Sequence, residues 1–133
     1  MSHSTTETFI QEFQQNLRNV LVENPEIETV NHLEGLPRHF LNKILAQKPL
    51  SVFIPSDYGG LGGKPAQCLS LLEAASYESI AVGLMFGING SLFLEPVAKY
   101  GTEKAKAHVF QTFLKNESLG GLMITEPDFG TDA

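Results

Sequence analysis

The residues best suited to chemistry lie near the C-terminal end, in residues 122–132, which read LMITEPDFGTD. An apolar run ends at Thr125, and the turn that follows contains Pro127 and Gly130 and carries a second hydroxyl at Thr131. A strand and turn of this kind presents backbone N–H groups and two hydroxyls at one rim, where they can hydrogen-bond a flat heterocycle and a nearby phosphate. Taken alone, the same residues also fit a plain strand and turn without a ligand.

Two other stretches match catalytic or phosphate-binding motifs only in part. Residues 128–130 read Asp-Phe-Gly, like the metal-binding triplet of protein kinases, but the upstream Gly-rich loop, its strand lysine and the catalytic loop are missing. Residues 59–64 read Gly-Gly-Leu-Gly-Gly-Lys, but Pro65 follows where a phosphate-binding loop has Ser or Thr. We therefore predict a chance triplet and a turn before a helix.

Neither the histidines nor the cysteine form a metal-binding pattern. His3, His32, His39 and His108 are dispersed and share no paired spacing on one helix face. The single cysteine, Cys68, excludes an intramolecular disulfide and points to a reducing compartment. Its spacing on a helix predicts a small buried hydrophobic residue. No metal site is predicted.

Apolar periodicity predicts a mainly helical chain that would position the C-terminal motif. Apolar residues recur every three or four positions over residues 5–23 and again after Leu36. An extended segment at 50–55 and a loop with four glycines at residues 56–63, the glycine loop, lead into a third helix. The buried face of that helix is expected to consist of Cys68, Leu69, Leu71, Leu72 and Ala75. Residues 79–91 are apolar nearly all round, which suits a helix packed on every side or lining an apolar cavity. Thr102 is expected to cap another helix, and residues 119–125 to form a strand.

Length and charge restrict the classes of function. The chain has 133 residues, 42% of them hydrophobic, with 9 Lys and Arg against 15 Asp and Glu, a net charge of -6. This composition fits one domain and disfavours binding to nucleic acid or anionic membranes. Residues 80–94, the longest apolar run, contain glycines and are too short to span a bilayer. The N-terminus lacks the features of a targeting peptide, so we expect a cytoplasmic protein.

The motif at 122–132 resembles the signature of the FAD-dependent acyl-CoA dehydrogenase family, in which Thr-Glu-Pro-x-x-Gly-Ser-Asp follows aliphatic or aromatic residues. Two further motifs of that family are matched in order. Residues 55–63 read Pro-x-x-Tyr-Gly-Gly-x-Gly-Gly before a helix, and residues 100–106 read Tyr-Gly-Thr-Glu-x-x-Lys. The three matches extend over residues 50–133, and residues 1–50 match only as amphipathic helices.

The resemblance implies a fold and a set of partners. The fold is an all-α N-terminal domain of five to six helices at residues 1–117, and residues 118–133 begin a middle β-barrel domain with its first strand. Because a C-terminal four-helix domain should follow, we expect the chain to continue beyond residue 133. The implied cofactor is FAD and the implied substrate an acyl-CoA of fatty-acid metabolism. An electron-transfer partner and a homo-oligomer, usually a tetramer, are implied as well.

The resemblance also assigns roles to residues. Those that would contact FAD are Leu122, Met123, Ile124, Thr125, Gly130 and Thr131, with the Thr125 hydroxyl near flavin N5. Those that would contact the acyl substrate are Leu84, Ile88, Leu92 and Thr131. Asp128 and Phe129 stand where the family usually has small residues, and Thr131 replaces the usual Ser. A bulky Phe129 beside the cofactor would narrow the site or alter the choice of substrate.

The implied reaction is α,β-dehydrogenation, in which a carboxylate removes the α-proton and the β-hydride moves to the flavin. A weakly acidic proton requires a base of raised pKa, which the family supplies from its C-terminal domain. No catalytic residue is therefore assigned within these 133 residues, and the isolated chain is expected to be inactive. Two alternatives stay open: an acyl-CoA oxidase or flavin monooxygenase on the same scaffold, and a non-catalytic helical interaction module.

Overall fold

The structure, a computed structural model, describes residues 3–29, 35–115 and 119–121, and all regular elements in these ranges are helical. The α-helices are α1 His3–Glu23, α2 Arg38–Leu45, α3 Pro65–Glu78, α4 Ile80–Asn89, α5 Glu95–Tyr100 and α6 Glu103–Leu114. Three 3-10 helices occupy Pro25–Thr29, Pro49–Phe53 and Ser56–Tyr58, and one π-helical turn, Gly90–Leu94, joins α4 to α5. The predicted all-α domain is confirmed.

The first helix contributes one apolar face to the core. Ile10, Phe13 and Leu17 are buried at spacings of three and four, as the periodicity predicts for one side of a helix. The helix is already formed at His3, two residues before its predicted start at residue 5. Helix α3 packs against both α1 and α4, and the ring of Phe13 lies 5.7 Å from that of Phe86 in α4.

The prediction of an extended segment at 50–55 was wrong for residues 50–53, and only Ile54 and Pro55 have extended backbone. Residues Pro49–Phe53 form a 3-10 helix that follows Lys48, whose φ is 55°. The sequence pattern could not show that the glycine loop folds back onto this segment. The N–H groups of Leu61, Gly62 and Gly63 donate to the carbonyls of residues 51, 54 and 52, at 2.8, 2.9 and 2.8 Å. These bonds satisfy the carbonyls without a neighbouring strand.

The predicted buried face of α3 was partly wrong. Cys68, Leu71 and Ala75 are buried and Leu72 is partly buried, but Leu69 is 66% exposed. Leu69 lies two positions from Leu71, about 200° around the helix, so the two side chains cannot point to the same face. The helix begins at Pro65, as predicted, because the first turn needs no N–H from that position.

The C-terminal strand falls mostly outside the described residues. Residues 119–121 form no regular element, and residues 122–125 are not described. The division into domains at residue 117 therefore stays a prediction.

Candidate functional site

The helix at residues 80–100 combines a buried face with an exposed apolar stripe. Val82, Phe86 and Leu94 are fully buried in the core. The stripe consists of Ile80, Leu84, Ile88 and Leu92, whose exposed fractions are 80%, 63%, 37% and 47%. Of the two interpretations of this helix, packing on every side was wrong, because side chains four apart share a face and this face remains exposed in the described residues.

The stripe includes all three helical residues that the resemblance assigns to the acyl substrate. Leu84, Ile88 and Leu92 stand one turn apart on the same side of the helix. The helix changes from α to π at Gly90, where an added Cβ would stand 2.5 Å from the ring of Phe53. π-turns within α-helices are frequent at functional sites.

By length and composition alone, the helix Ile80–Tyr100, 21 residues long, is able to cross a membrane. The predicted apolar run ended at Leu94, whereas the helix continues through Pro96 to Tyr100. A helix in the core of a domain can have the same length and apolar composition, and Val82, Phe86 and Leu94 pack inside this domain. No clear membrane span is shown for the described residues.

A buried asparagine holds the chain that leads toward the C-terminal motif. The Asn89 side chain donates from Nδ2 to the Met85 carbonyl at 2.8 Å and accepts at Oδ1 from the Gly120 N–H at 2.7 Å. Sequence reasoning missed this residue. The available signal was a polar amide within an apolar helical run, since a buried amide must find hydrogen-bond partners.

Two motifs that carry the resemblance meet in the structure. In the motif at residues 55–63, the Tyr58 hydroxyl donates to a carboxylate oxygen of Glu103, which belongs to the motif at residues 100–106. The Tyr58 ring packs edge-on against Phe110. This hydrogen bond raises the pKa of Tyr58 and lowers the pKa of Glu103. Thr102 caps α6, as predicted, by accepting from Ala105 N–H at 3.2 Å. The contacts are structural, joining the glycine loop to α6.

The glycine loop is not free to hold a phosphate. All N–H groups of residues 59–63 donate to backbone carbonyls of residues 51–56. A phosphate loop needs such groups directed at the ligand. The prediction of a turn before a helix is therefore confirmed.

The cysteine is buried, as predicted. Loss of hydration raises the pKa of the Cys68 thiol to about 11, so it stays protonated and unreactive at neutral pH. Within the part of the chain that the structure describes, no group of three His, Cys, Asp or Glu residues is placed to hold a metal ion.

The residues assigned to FAD lie outside the described residues. This applies to Leu122, Met123, Ile124, Thr125, Gly130 and Thr131. Of the four residues assigned to the acyl substrate, the structure brings together the three of the stripe and does not describe Thr131.

The family model and the relatives that match this chain all point to one family. Residues 5–117 match the model of the acyl-CoA dehydrogenase N-terminal domain. An acyl-CoA dehydrogenase of Bacillus subtilis is 25% identical over 109 residues, 82% of this chain and 29% of the relative. A mitochondrial isovaleryl-CoA dehydrogenase of Solanum tuberosum is 32% identical over 84 residues, 62% of this chain and 20% of the relative.

A further relative bears a different name. The 3-(aryl)acrylate reductase of Clostridium sporogenes is 24% identical over 109 residues, covering 82% of this chain and 29% of the relative. No solved structure matches the chain significantly. The chain thus spans between a fifth and a third of the length of these relatives. The match to the N-terminal domain model covers most of the sequence, and the chain belongs to the acyl-CoA dehydrogenase family.

Proposed function

We propose that this chain is the N-terminal part of an FAD-dependent acyl-CoA dehydrogenase and supplies one wall of the acyl-chain site. The exposed stripe Ile80, Leu84, Ile88 and Leu92 carries this proposal. Its first and last residues are twelve positions apart, which corresponds to about 18 Å of helix, an elongated apolar surface that suits an extended hydrocarbon chain. Burial of that surface by an acyl chain is favourable because it removes apolar area from water.

The proposed cofactor is FAD. The N–H groups and hydroxyls available in residues 122–131 suit the polar edge of a flavin and a phosphate. The chain that leads to them is held at Asn89, the next residue along from Ile88 in the stripe. Bound FAD would supply the acceptor for the β-hydride.

The roles of this chain's own residues follow from their chemistry. The stripe would orient the acyl chain and exclude water from it. Thr125 and Thr131 would hold the cofactor through their hydroxyls. The base that removes the α-proton is proposed to lie beyond residue 133, so the isolated chain should form no enoyl thioester. Measurable turnover by these 133 residues alone would contradict that proposal.

The first experiment is a pair of matched substitutions in the full-length protein made from the native gene. Leu84 and Leu69 are both exposed to a similar degree, 63% and 66%, but only Leu84 belongs to the stripe. We expect Leu84→Ser to raise KM for an acyl-CoA roughly tenfold or more, because burying a leucine against an apolar ligand is worth about 1.5–3 kcal/mol. Leu69→Ser should leave KM unchanged. Equal KM values for both variants would refute the role of the stripe.

The alternatives are distinguished with the same protein. Rapid reaction of the reduced flavin with oxygen would indicate an oxidase or monooxygenase, and a well-folded protein indifferent to FAD would indicate an interaction module. Because one relative is named as a reductase, both dehydrogenation and the reverse reduction should be assayed. A cytoplasmic location, an electron-transfer partner and assembly into a homo-oligomer are proposed with the family function.

A further inference from the structure

The side chain of Asn89 is fixed in one orientation by the helix that carries it. The residue is 3% exposed and stands at the last position of α4, before the π turn Gly90–Leu94. Its Nδ2 donates to the Met85 carbonyl, one turn back, at 2.8 Å. That bond directs Oδ1 away from the helix, where it accepts from the Gly120 N–H at 2.7 Å. Both polar groups of a buried amide are thereby satisfied, and one of them fixes a residue 31 positions away.

Gly120 also lies against an aromatic ring. A Cβ added at Gly120 would stand 2.8 Å from Phe93 Cγ and closer still to Cδ1, so a larger residue would require the ring to move. Phe93 belongs to the π turn and stacks on Phe113 of α6, with 5.6 Å between the ring centres. The chain at residue 120 therefore has a hydrogen bond to Asn89 and a close contact with the ring of Phe93, both supplied by the helix at residues 80–100.

The contacts of Gly120 with Asn89 and Phe93, called the clamp below, lie directly upstream of the residues assigned to FAD. Thr125 follows Gly120 by five residues, so it lies within about 18 Å of the clamp even if the chain is fully extended. A shift of the chain at residue 120 changes the starting point of every residue that follows. Catalytic geometry is sensitive to displacements of about 1 Å.

We propose that Asn89 is a positioning residue for the flavin site, acting through the Gly120 N–H to set where residues 122–131 begin. This inference rests on the proposed function. Asn89 would not touch the flavin or the substrate. Its removal would release the segment from the helix, lower the affinity for FAD and slow hydride transfer, while the exposed stripe that binds the acyl chain is unchanged.

The test compares two asparagines in the full-length protein. Asn24 is the matched control, because it is also buried, at 6% exposed, and also donates from Nδ2 to a carbonyl four residues back, that of Val20. Its Oδ1 accepts from Lys43 at 3.2 Å and does not contact residues 119–121. Asn24→Leu and Asn89→Leu each remove two side-chain hydrogen bonds, but only Asn89→Leu releases Gly120.

The first readout is hydrogen exchange at the Gly120 amide, measured by mass spectrometry of overlapping peptides. We expect exchange at least tenfold faster in Asn89→Leu and unchanged in Asn24→Leu. This readout needs no flavin, so it tests the clamp even if the protein proves not to bind FAD. Unchanged exchange in Asn89→Leu would overturn the inference.

The second readout is the flavin itself. In Asn89→Leu we expect the Kd for FAD to rise and kcat to fall, each about tenfold, with KM for the acyl-CoA within twofold of the parent protein. Equal losses in Asn24→Leu and Asn89→Leu would show a general effect on folding and refute the positioning role. Absence of FAD from the parent protein would instead refute the proposed function.

A second pair of variants changes the glycines at positions 120 and 121 and leaves Asn89 intact. Gly120→Ala would place a methyl group against Phe93, whereas Gly121→Ala meets no atom within 4 Å. We expect Gly120→Ala to reproduce the loss of FAD affinity and kcat, and Gly121→Ala to behave like the parent. If Gly120→Ala has no effect on the flavin, the position of residue 120 does not matter and the inference fails.

Discussion

Two glycines one turn apart in α4 should respond oppositely to the same substitution. At Gly87 an added Cβ meets no atom within 4 Å, so Gly87→Ala should stabilise the domain by about 0.5–1 kcal/mol, the gain expected for alanine over glycine inside a helix. At Gly83 the added Cβ would stand 2.8 Å from Ser76 Cα in α3. Normal carbon contacts are about 3.5–4.0 Å, so the two helices would have to separate by roughly 1 Å.

The net effect at Gly83 is a balance of two terms. Overpacking of this kind typically costs about 1–3 kcal/mol, and the same helix-propensity gain of about 0.5–1 kcal/mol offsets part of it. We therefore expect Gly83→Ala to lower the free energy of unfolding by about 1–2 kcal/mol. Rotation of the Ser76 hydroxyl cannot relieve the overlap, because the atom in the way belongs to the backbone.

The assay is urea unfolding of each variant followed by circular dichroism at 222 nm, with the midpoint and slope fitted separately. The two variants should differ by about 2 kcal/mol or more in the free energy of unfolding, with opposite signs relative to the parent. Equal stabilisation of both variants would show that α3 and α4 are not in close contact at residues 76 and 83, and the packing described above would be wrong.

Three further predictions concern stability, acid and thiol reactivity. Phe86→Ala, at a fully buried ring, should destabilise the domain by about 3–5 kcal/mol in urea unfolding, whereas Leu84→Ala should change it by less than about 0.5 kcal/mol; similar losses for both would contradict the assigned faces of α4. Hydrogen bonds from Arg18, at 2.7 and 3.1 Å, lower the pKa of Glu78 from its ordinary value of 4.5. The pair therefore stabilises the fold above the unfolded pKa, and this contribution is lost as the pH falls through the lower folded pKa. Urea midpoints measured from pH 7 to pH 3 should fall less in Glu78→Gln than in the parent, and parallel curves would rule out the assignment. Burial raises the pKa of Cys68 from 9.0 to about 11, so iodoacetamide at pH 8 should label the native protein at least 100-fold more slowly than the urea-unfolded chain, and comparable rates would show an accessible thiolate.

Local patterns predicted most of the helical structure because the interactions involved are short-range. The apolar stripe of α1 and the Thr102 cap of α6 depend on residues three and four apart, which one stretch of sequence contains in full. The segment at 49–53 could not be predicted in this way. Its carbonyls are satisfied by N–H groups of the glycine loop, and no local pattern reveals that partner.

In the candidate site too, local sequence predicted some features, and contacts between distant residues decided the others. The stripe residues Leu84, Ile88 and Leu92 were identified from resemblance and composition, but the apolar sequence of this helix did not show which side faces the core. Packing against α3 decided that question. Asn89 was missed because its partner, Gly120, lies 31 positions away.

The sequence by itself determined the family and the helical class of the domain, because residue type and short-range spacing carry that information. Only the tertiary structure decided which face of the helix at residues 80–94 stays uncovered and where the chain at residue 120 is held. Both depend on contacts between distant segments: the burial of Phe86 and Val82 leaves the stripe outside, and Asn89 meets Gly120 only when the domain is folded.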